Sequence, residues 1–85
     1  MPSKTVTVGS TVGLHARPAA AIAEAAADLD SEVTLTKAGE EPVDASSSLL
    51  IMTLGAGHGD TIEVSGEDQA AVDAIAALVE KNLDA

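Results

Sequence analysis

Residues 16–29 read ARPAAAIAEAAADL, and eight of them are alanine. Alanine has the highest intrinsic helix propensity, so this segment predicts a helix. With about 100° of rotation per residue, four apolar side chains share one face, which should contact a core. They are Ala19, Ile22, Ala26 and Leu29. Pro18 fits the first helical turn, where an N–H has no intrahelical partner, so the helix should start at about His15 or Ala16.

Four short segments around this helix alternate polar and apolar residues, which is the period of a strand with one buried face. They are residues 4–8, 32–36, 42–44 and 61–65. Short strands with one polar face are typical of an antiparallel sheet. Pro42 suits a sheet edge or the start of a strand.

Two further helices complete the pattern. Residues 46–54 predict a short helix that serines can cap and Gly55 can end. A final helix should begin near the acidic pair at 67–68, since negative charge suits a helix N-terminus. Its inward stripe should comprise Ala71, Ile75, Leu78, Val79 and either Asn82 or Leu83. The chain is therefore predicted to be α+β: an open-faced two-layer sandwich with a four-stranded antiparallel sheet covered by three helices, in the order β-α-β-β-α-β-α.

The composition restricts the function. The 85 residues suffice for a single domain, residues 1–85. Fourteen acidic and four basic residues give a formal net charge of −10, and Phe, Tyr and Trp are absent. Such a chain should repel phosphate backbones and cannot stack bases on aromatic rings, which argues against nucleic-acid binding. Without a cysteine, a leader or an apolar run of about 20 residues, we expect a cytoplasmic protein with no thiolate metal site and no membrane insertion.

Residues 13–19, GLHARPA, place a histidine at the predicted start of the alanine-rich helix. A helix N-terminus offers unpaired N–H groups and a partial positive charge, which suit a phosphate. Imidazole is a nucleophile near neutral pH, and Arg17 can donate to phosphoryl oxygens. Gly13 should let the preceding loop fold tightly against the ring of His15. These residues indicate a transient phosphohistidine, although residue types alone leave open a solvated histidine and arginine.

The same heptapeptide resembles the active-site signature of HPr, the histidine phosphocarrier family of the bacterial phosphoenolpyruvate-dependent sugar phosphotransferase system. Residues 4–8 resemble the first strand of that family and residues 47–55 its serine-containing short helix, so the resemblance covers essentially the whole chain. It implies that His15 is phosphorylated on its δ nitrogen (pros-phosphohistidine), that Arg17 stabilises the phosphate, and that no cofactor is needed. Phosphorylated enzyme I would donate the group, and IIA domains of sugar permeases would accept it.

A serine at the start of the short helix is a regulatory phosphorylation site in some members of the family, modified by a dedicated kinase. Matching residues 50–55, LIMTLG, to the family pattern selects Ser47 as this serine. The match implies that the turn at 39–42 is one residue longer than in the family. Ser46 is the register alternative, and it occupies the position where the family often has a basic residue. The competing interpretation is that Ser47 only caps the helix.

A carrier must also dock on several partners. Small and apolar side chains flanking an active residue suggest such a surface, and methionine adapts to differing partners. The candidates are Ala16, Ala20, Ala21, Leu49, Leu50, Met52 and Leu54. Because core packing of the short helix is the alternative, about half of these residues should point each way. A protein that presents one face to several partners is most simply a monomer.

Two other functions are compatible with the resemblance. One is a regulatory HPr-like binding protein controlled by serine phosphorylation, which the presence of His15 beside Arg17 disfavours. The other is a carrier in the nitrogen-related or dihydroxyacetone branch of the system. An independent enzyme is disfavoured because the chain shows no metal constellation, no P-loop lysine and no catalytic Ser/His/Asp order.

Overall fold

The computed structural model describes residues 2–11 and 13–81. The elements follow the predicted order β-α-β-β-α-β-α. Their bounds are β1 Ser3–Thr7, α1 Ala16–Ala27, β2 Val33–Lys37, β3 Val43–Asp44, α2 Ser48–Thr53, β4 Thr61–Gly66 and α3 Gln69–Glu80. The α+β class and the sequence of elements are therefore confirmed.

The four strands form one sheet in the order β1-β4-β2-β3, and every neighbouring pair is antiparallel. Val6 lies opposite Ile62, and Leu35 lies opposite Val64, so the apolar side chains of the three longer strands fall on one face. The observed strands begin or end one residue away from the bounds that the alternation predicts, because backbone hydrogen bonds between strands set the observed bounds. Lys37, for example, still pairs with Ile62 and extends β2.

The three helices cover the apolar face of the sheet. Each helix contributes a fully buried isoleucine, namely Ile22, Ile51 and Ile75. The opposite face carries the hydroxyl and carboxylate side chains that alternate with the core residues. They are Thr5, Glu63, Thr36, Thr34 and Ser65, and they oppose one another across the strands. This arrangement confirms an open-faced two-layer sandwich.

The helix faces agree with the predicted periodicity, apart from their ends. In α1 the predicted Ala19, Ile22 and Ala26 are buried, but the helix ends at Ala27 and Leu29 packs only partly against the core. In α3 the buried residues are Ala71, Val72, Ile75, Ala76 and Val79. Leu78 is half-buried, and the predicted Asn82 or Leu83 lies outside the described residues. Within residues 2–11 and 13–81, no helix has the length and apolarity to traverse a bilayer.

Candidate functional site

The start of α1 exposes a nucleophile beside two open backbone donors. His15 is the N-cap residue, with extended backbone angles of φ −85° and ψ −169°, and its side chain makes no capping hydrogen bond. The first backbone bond at this end runs from the Ala19 N–H to the His15 carbonyl, at 2.8 Å. Pro18 has no N–H, and the N–H groups of Ala16 and Arg17 find no partner among the described residues.

The first turn of α1 contains one basic residue and no acidic residue. Arg17 is exposed and pairs with no carboxylate in the described part of the chain. The first turn of α1 contains no acidic residue, so nothing there offsets the partial positive charge of the helix N-terminus. An anion attached to His15 would therefore meet amide donors and a guanidinium together.

The loop before His15 rests on the segment of residues 55–57. The Leu14 N–H donates to the Ala56 carbonyl at 2.9 Å, and Leu14 is buried. Gly13 has a φ of +78°, and a Cβ there would lie 2.5 Å from the Ala56 carbonyl oxygen and 2.8 Å from the Gly57 Cα. The glycine therefore permits contact between two backbone segments, whereas the sequence interpretation assigned it to packing against the imidazole ring.

The residues predicted to form a docking surface divide between surface and core. Leu49, Leu50 and Met52 are 71%, 43% and 36% exposed, on a helix that packs beside α1. Ala16 and Ala20 are exposed, and Ala21 is half-buried. Leu54 is only 4% exposed and belongs to the core, so its assignment to the docking surface is wrong. It is the C-cap residue of α2.

Both candidate serines make local hydrogen bonds. Ser47 is the N-cap of α2, and its Oγ accepts from the Leu50 N–H at 3.3 Å, as the capping interpretation requires. Ser46 is exposed, and its N–H and Oγ donate to Asp44 Oδ1 at 2.9 and 2.7 Å. The backbone bond from Ser46, followed by the hydroxyl bond, lowers the pKa of Asp44. Phosphorylation of Ser46 would remove the hydroxyl proton that its Oγ donates to Asp44, whereas a phosphate on Ser47 would still offer acceptor oxygens to the start of α2.

The site is an open surface. Two surface clefts lie elsewhere: one is lined by residues such as Leu29, Glu32 and Ser46, and the other by residues such as Thr34 and Ser65. His15 lines neither of them. Within the described part of the chain, no group of three His, Cys, Asp or Glu side chains is placed to hold a metal ion. An exposed histidine that lines neither of these clefts suits a macromolecular partner better than an enclosed small substrate.

Sequence reasoning missed the support beneath the site. The glycines at positions 55, 57 and 59 did mark a segment where backbones can approach closely, and this signal could have suggested a contact. Nothing local to the GLHARPA stretch indicates that Ala56 would accept a hydrogen bond from Leu14. This contact depends on the sheet, which brings the loop before α1 next to the loop before β4.

Comparison with known proteins agrees with this geometry. The family model described as "PTS HPr component phosphorylation site" matches residues 2–81. A phosphocarrier protein NPr from Shewanella violacea is 40% identical over 84 residues, covering 95% of this chain and 91% of the relative. A phosphocarrier protein HPr from Streptomyces coelicolor is 38% identical over 87 residues, covering 99% and 94%.

Solved structures agree as well. The crystal structure of a phosphocarrier protein HPr from Bacillus anthracis superposes with a TM-score of 0.85 at 34% identity, covering 92% of this chain and 95% of that one. The Bacillus subtilis protein Crh, solved as a domain-swapped dimer, superposes with a TM-score of 0.67 at 29% identity, covering 96% and 97%. The chain therefore belongs to the HPr family of phosphocarrier proteins of the phosphotransferase system.

Proposed function

We propose that this protein accepts a phosphoryl group from phosphorylated enzyme I onto Nδ1 of His15 and donates it to IIA domains of sugar permeases. One observation carries the proposal: an exposed imidazole at a helix N-terminus whose Ala16 and Arg17 N–H groups lack partners in the described structure. No other histidine has this setting, since His58 lies in a loop between two glycines.

The transfer step needs a nucleophile and a place for negative charge. The unprotonated Nδ1 of His15 attacks phosphorus as the bond between phosphorus and the donor's leaving atom breaks, and the donor keeps that electron pair. The N–H groups of Ala16 and Arg17 and the Arg17 guanidinium then stabilise the phosphoryl oxygens. Transfer to the acceptor is the same in-line exchange, with His15 as the leaving group.

In this proposal the carrier supplies only part of the transition-state environment. Its partners align the reacting atoms in the docked complex, so the protein is a covalent intermediate between enzymes and has no independent activity. The docking surface comprises Ala16, Ala20, Ala21, Leu49, Leu50 and Met52. A cytoplasmic monomer is the simplest form for a carrier that presents this face to successive partners.

The nitrogen-related branch of the system is a second candidate, and one observation favours it: the 40% identical relative from Shewanella violacea is an NPr. The donor and acceptors would then be the corresponding proteins of that branch, and the chemistry at His15 would be unchanged. Regulation by a serine kinase at Ser47 or Ser46 is compatible with either branch. A purely regulatory binding protein is disfavoured, because such a protein would not need a histidine at a helix start that has no side-chain cap.

The decisive experiment is phosphorylation by purified enzyme I and phosphoenolpyruvate, using the sugar-branch and the nitrogen-branch enzymes separately. We expect an acid-labile, base-stable adduct on His15. It should be lost completely in His15→Ala and retained in the matched control His58→Ala. Arg17→Ala should fold normally and be phosphorylated more slowly. A label that persists in His15→Ala, or that forms only on serine with ATP, contradicts the proposal.

A further inference from the structure

We propose that Lys37 and Asp60 are positioning residues for phosphoryl transfer at His15. Together they form a brace, defined here as the pair of side chains that holds residues 55–57 in place beneath the loop that carries the histidine. The inference rests on the proposed function for its kinetic consequence. Its structural part can be tested without any partner protein.

The brace holds both ends of the short segment 55–57. Lys37 Nζ donates to the Gly55 carbonyl at 3.1 Å and lies 3.6 Å from Asp60 Oδ2. The same carboxylate oxygen of Asp60 accepts from the Gly57 N–H at 2.8 Å. The ammonium thus fixes the first residue of the segment, the carboxylate fixes the last, and their mutual attraction links the two contacts.

The brace is itself attached to the sheet. Lys37 is the last residue of β2 and lies opposite Ile62 of β4. The backbone carbonyl of Asp60 accepts from the Val8 N–H at 2.9 Å, immediately after β1. Three strands therefore set the positions of the two side chains. Through its contacts with Gly55 and Gly57, the brace in turn restrains residues 55–57, which lie outside any helix or strand.

The braced segment contacts the active loop at its central residue. The Ala56 carbonyl accepts from the Leu14 N–H at 2.9 Å, and Gly13 fits closely over residues 56–57. The His15 N–H donates back to the Gly13 carbonyl at 2.9 Å. A shift of residues 55–57 must therefore move Leu14 and Gly13 and then the backbone of His15. Transfer reactions are sensitive to displacements of this kind because the reacting atoms must be aligned.

The brace should affect geometry more than stability. Lys37 and Asp60 have side-chain exposures of 32% and 43%, and ion pairs at this exposure contribute little to the free energy of unfolding. Asp60 is ionised at neutral pH, since the Gly57 N–H bond in particular lowers its pKa. The pair is therefore charged under physiological conditions. Its loss should loosen residues 55–57 rather than lower the stability of the whole protein.

The first test is amide hydrogen exchange in Lys37→Met and Asp60→Ala. Lys4→Met is the matched control, since Lys4 is an exposed strand lysine whose side chain has no partner among the described residues. We expect the Leu14 amide to exchange about 2- to 5-fold faster in both brace variants, the range set by a surface ion pair, with the urea midpoint little changed. Lys37→Arg, which keeps a cationic donor, should restore protection. Equal exchange in Lys37→Met and Lys4→Met overturns the brace.

The second test measures phosphoryl transfer from enzyme I with the same variants. We expect kcat to fall about 2- to 5-fold, in step with the loosened loop, while KM stays constant because the docking surface is intact. A rise in KM alone, or a loosened Leu14 with unchanged kcat, overturns the positioning role. If the unaltered protein is never labelled on His15, the proposed function fails, whereas the exchange experiment still decides whether the brace exists.

Discussion

The starts of α1 and α3 differ in how they satisfy the backbone N–H groups that a helix N-terminus leaves unpaired. Both helices have 12 residues and an N-cap residue with extended backbone angles. At α3 the carboxylate of Asp68 accepts from the Ala70 N–H at 3.0 Å, which satisfies one of the helix's unpaired donors. At α1 the His15 side chain bonds to no backbone group. The start of α3 is capped by a side chain, whereas the start of α1 has no side-chain cap.

The open start has a cost that burial offsets. A good N-cap contributes about 1 kcal/mol, and α1 lacks this contribution. Five of its 12 residues are buried instead: Pro18, Ala19, Ile22, Ala23 and Ala26. Because these side chains fix the helix against the core, its first turn need not be stabilised locally and remains available for chemistry.

The largest expected effect is from Ala16→Pro, which removes one open donor of α1. Proline suits the first helical position, and His15 already has the extended conformation that a residue before proline requires. Stability should change little. The rate of phosphohistidine formation should fall about 100-fold, as when one oxyanion donor is lost. Rapid-quench labelling by enzyme I measures this rate.

The matched control for this substitution is Gln69→Pro, at the first position of the capped helix α3. It should leave the labelling rate of His15 unchanged, since that end of α3 takes no part in the site. Equal labelling rates for Ala16→Pro and the unaltered protein would show that the open Ala16 donor does not contact the phosphoryl group.

The second effect concerns stability and the closed start. Asp68→Ala should cost about 1 kcal/mol of unfolding free energy by removing the cap of α3. For a domain of this size the melting temperature should fall by about 4–8 °C. Asp68→Ser, which keeps a capping oxygen, should recover most of the loss. Phosphorylation of His15 should proceed at the normal rate in both variants, and a slowed rate in folded Asp68→Ala would contradict the separation of the two helix starts.

The smallest effect is a pH dependence at the approach to α2. Bonds from Ser46 lower the pKa of Asp44 below 3.8, its ordinary value. A depressed folded pKa means that this stabilisation is fully present above pH 3.8 and is lost as the pH falls through the folded value. Asp44→Asn should therefore melt slightly below the unaltered protein at neutral pH.

The difference in melting temperature between these two proteins should shrink as the pH falls below 3.8. Scanning calorimetry of both proteins across the acid range measures it, and the comparison cancels the general effect of neutralising the other carboxylates. A difference that stays constant down to the lowest pH would mean that the Ser46 bonds do not depend on the charge of Asp44.

Much of the fold was predictable because its signals are local. Alternation located all four strands within a residue or so, and the alanine-rich period identified the buried face of α1. The position of His15 at the start of α1 was also predicted from its neighbours in sequence, and the structure agrees. The roles of His15 and Arg17 in phosphoryl transfer came from the resemblance to the HPr family and stay a prediction. Leu54, the C-cap residue of α2, was assigned wrongly because the composition of a short apolar segment does not show which way each side chain points.

Contacts between distant segments account for what sequence reasoning missed. Gly13 meets residues 56–57, and Lys37 meets Asp60, only after three strands have paired. The pattern of a single segment contains no information about such partners. The exposed histidine at the start of α1 could thus be predicted, whereas the backbone contacts beneath its loop could not.

The separation of buried and exposed residues in α2 affects which of its side chains can change during evolution. Ile51 alone of its six residues is buried, while Leu49, Leu50 and Met52 face outward. Selection for a new binding partner can replace the outward side chains freely, since one inward side chain suffices to seat the helix. If the exposed residues form the proposed docking surface, α2 separates binding from folding onto different residues, and the surface can change without loss of the core contact.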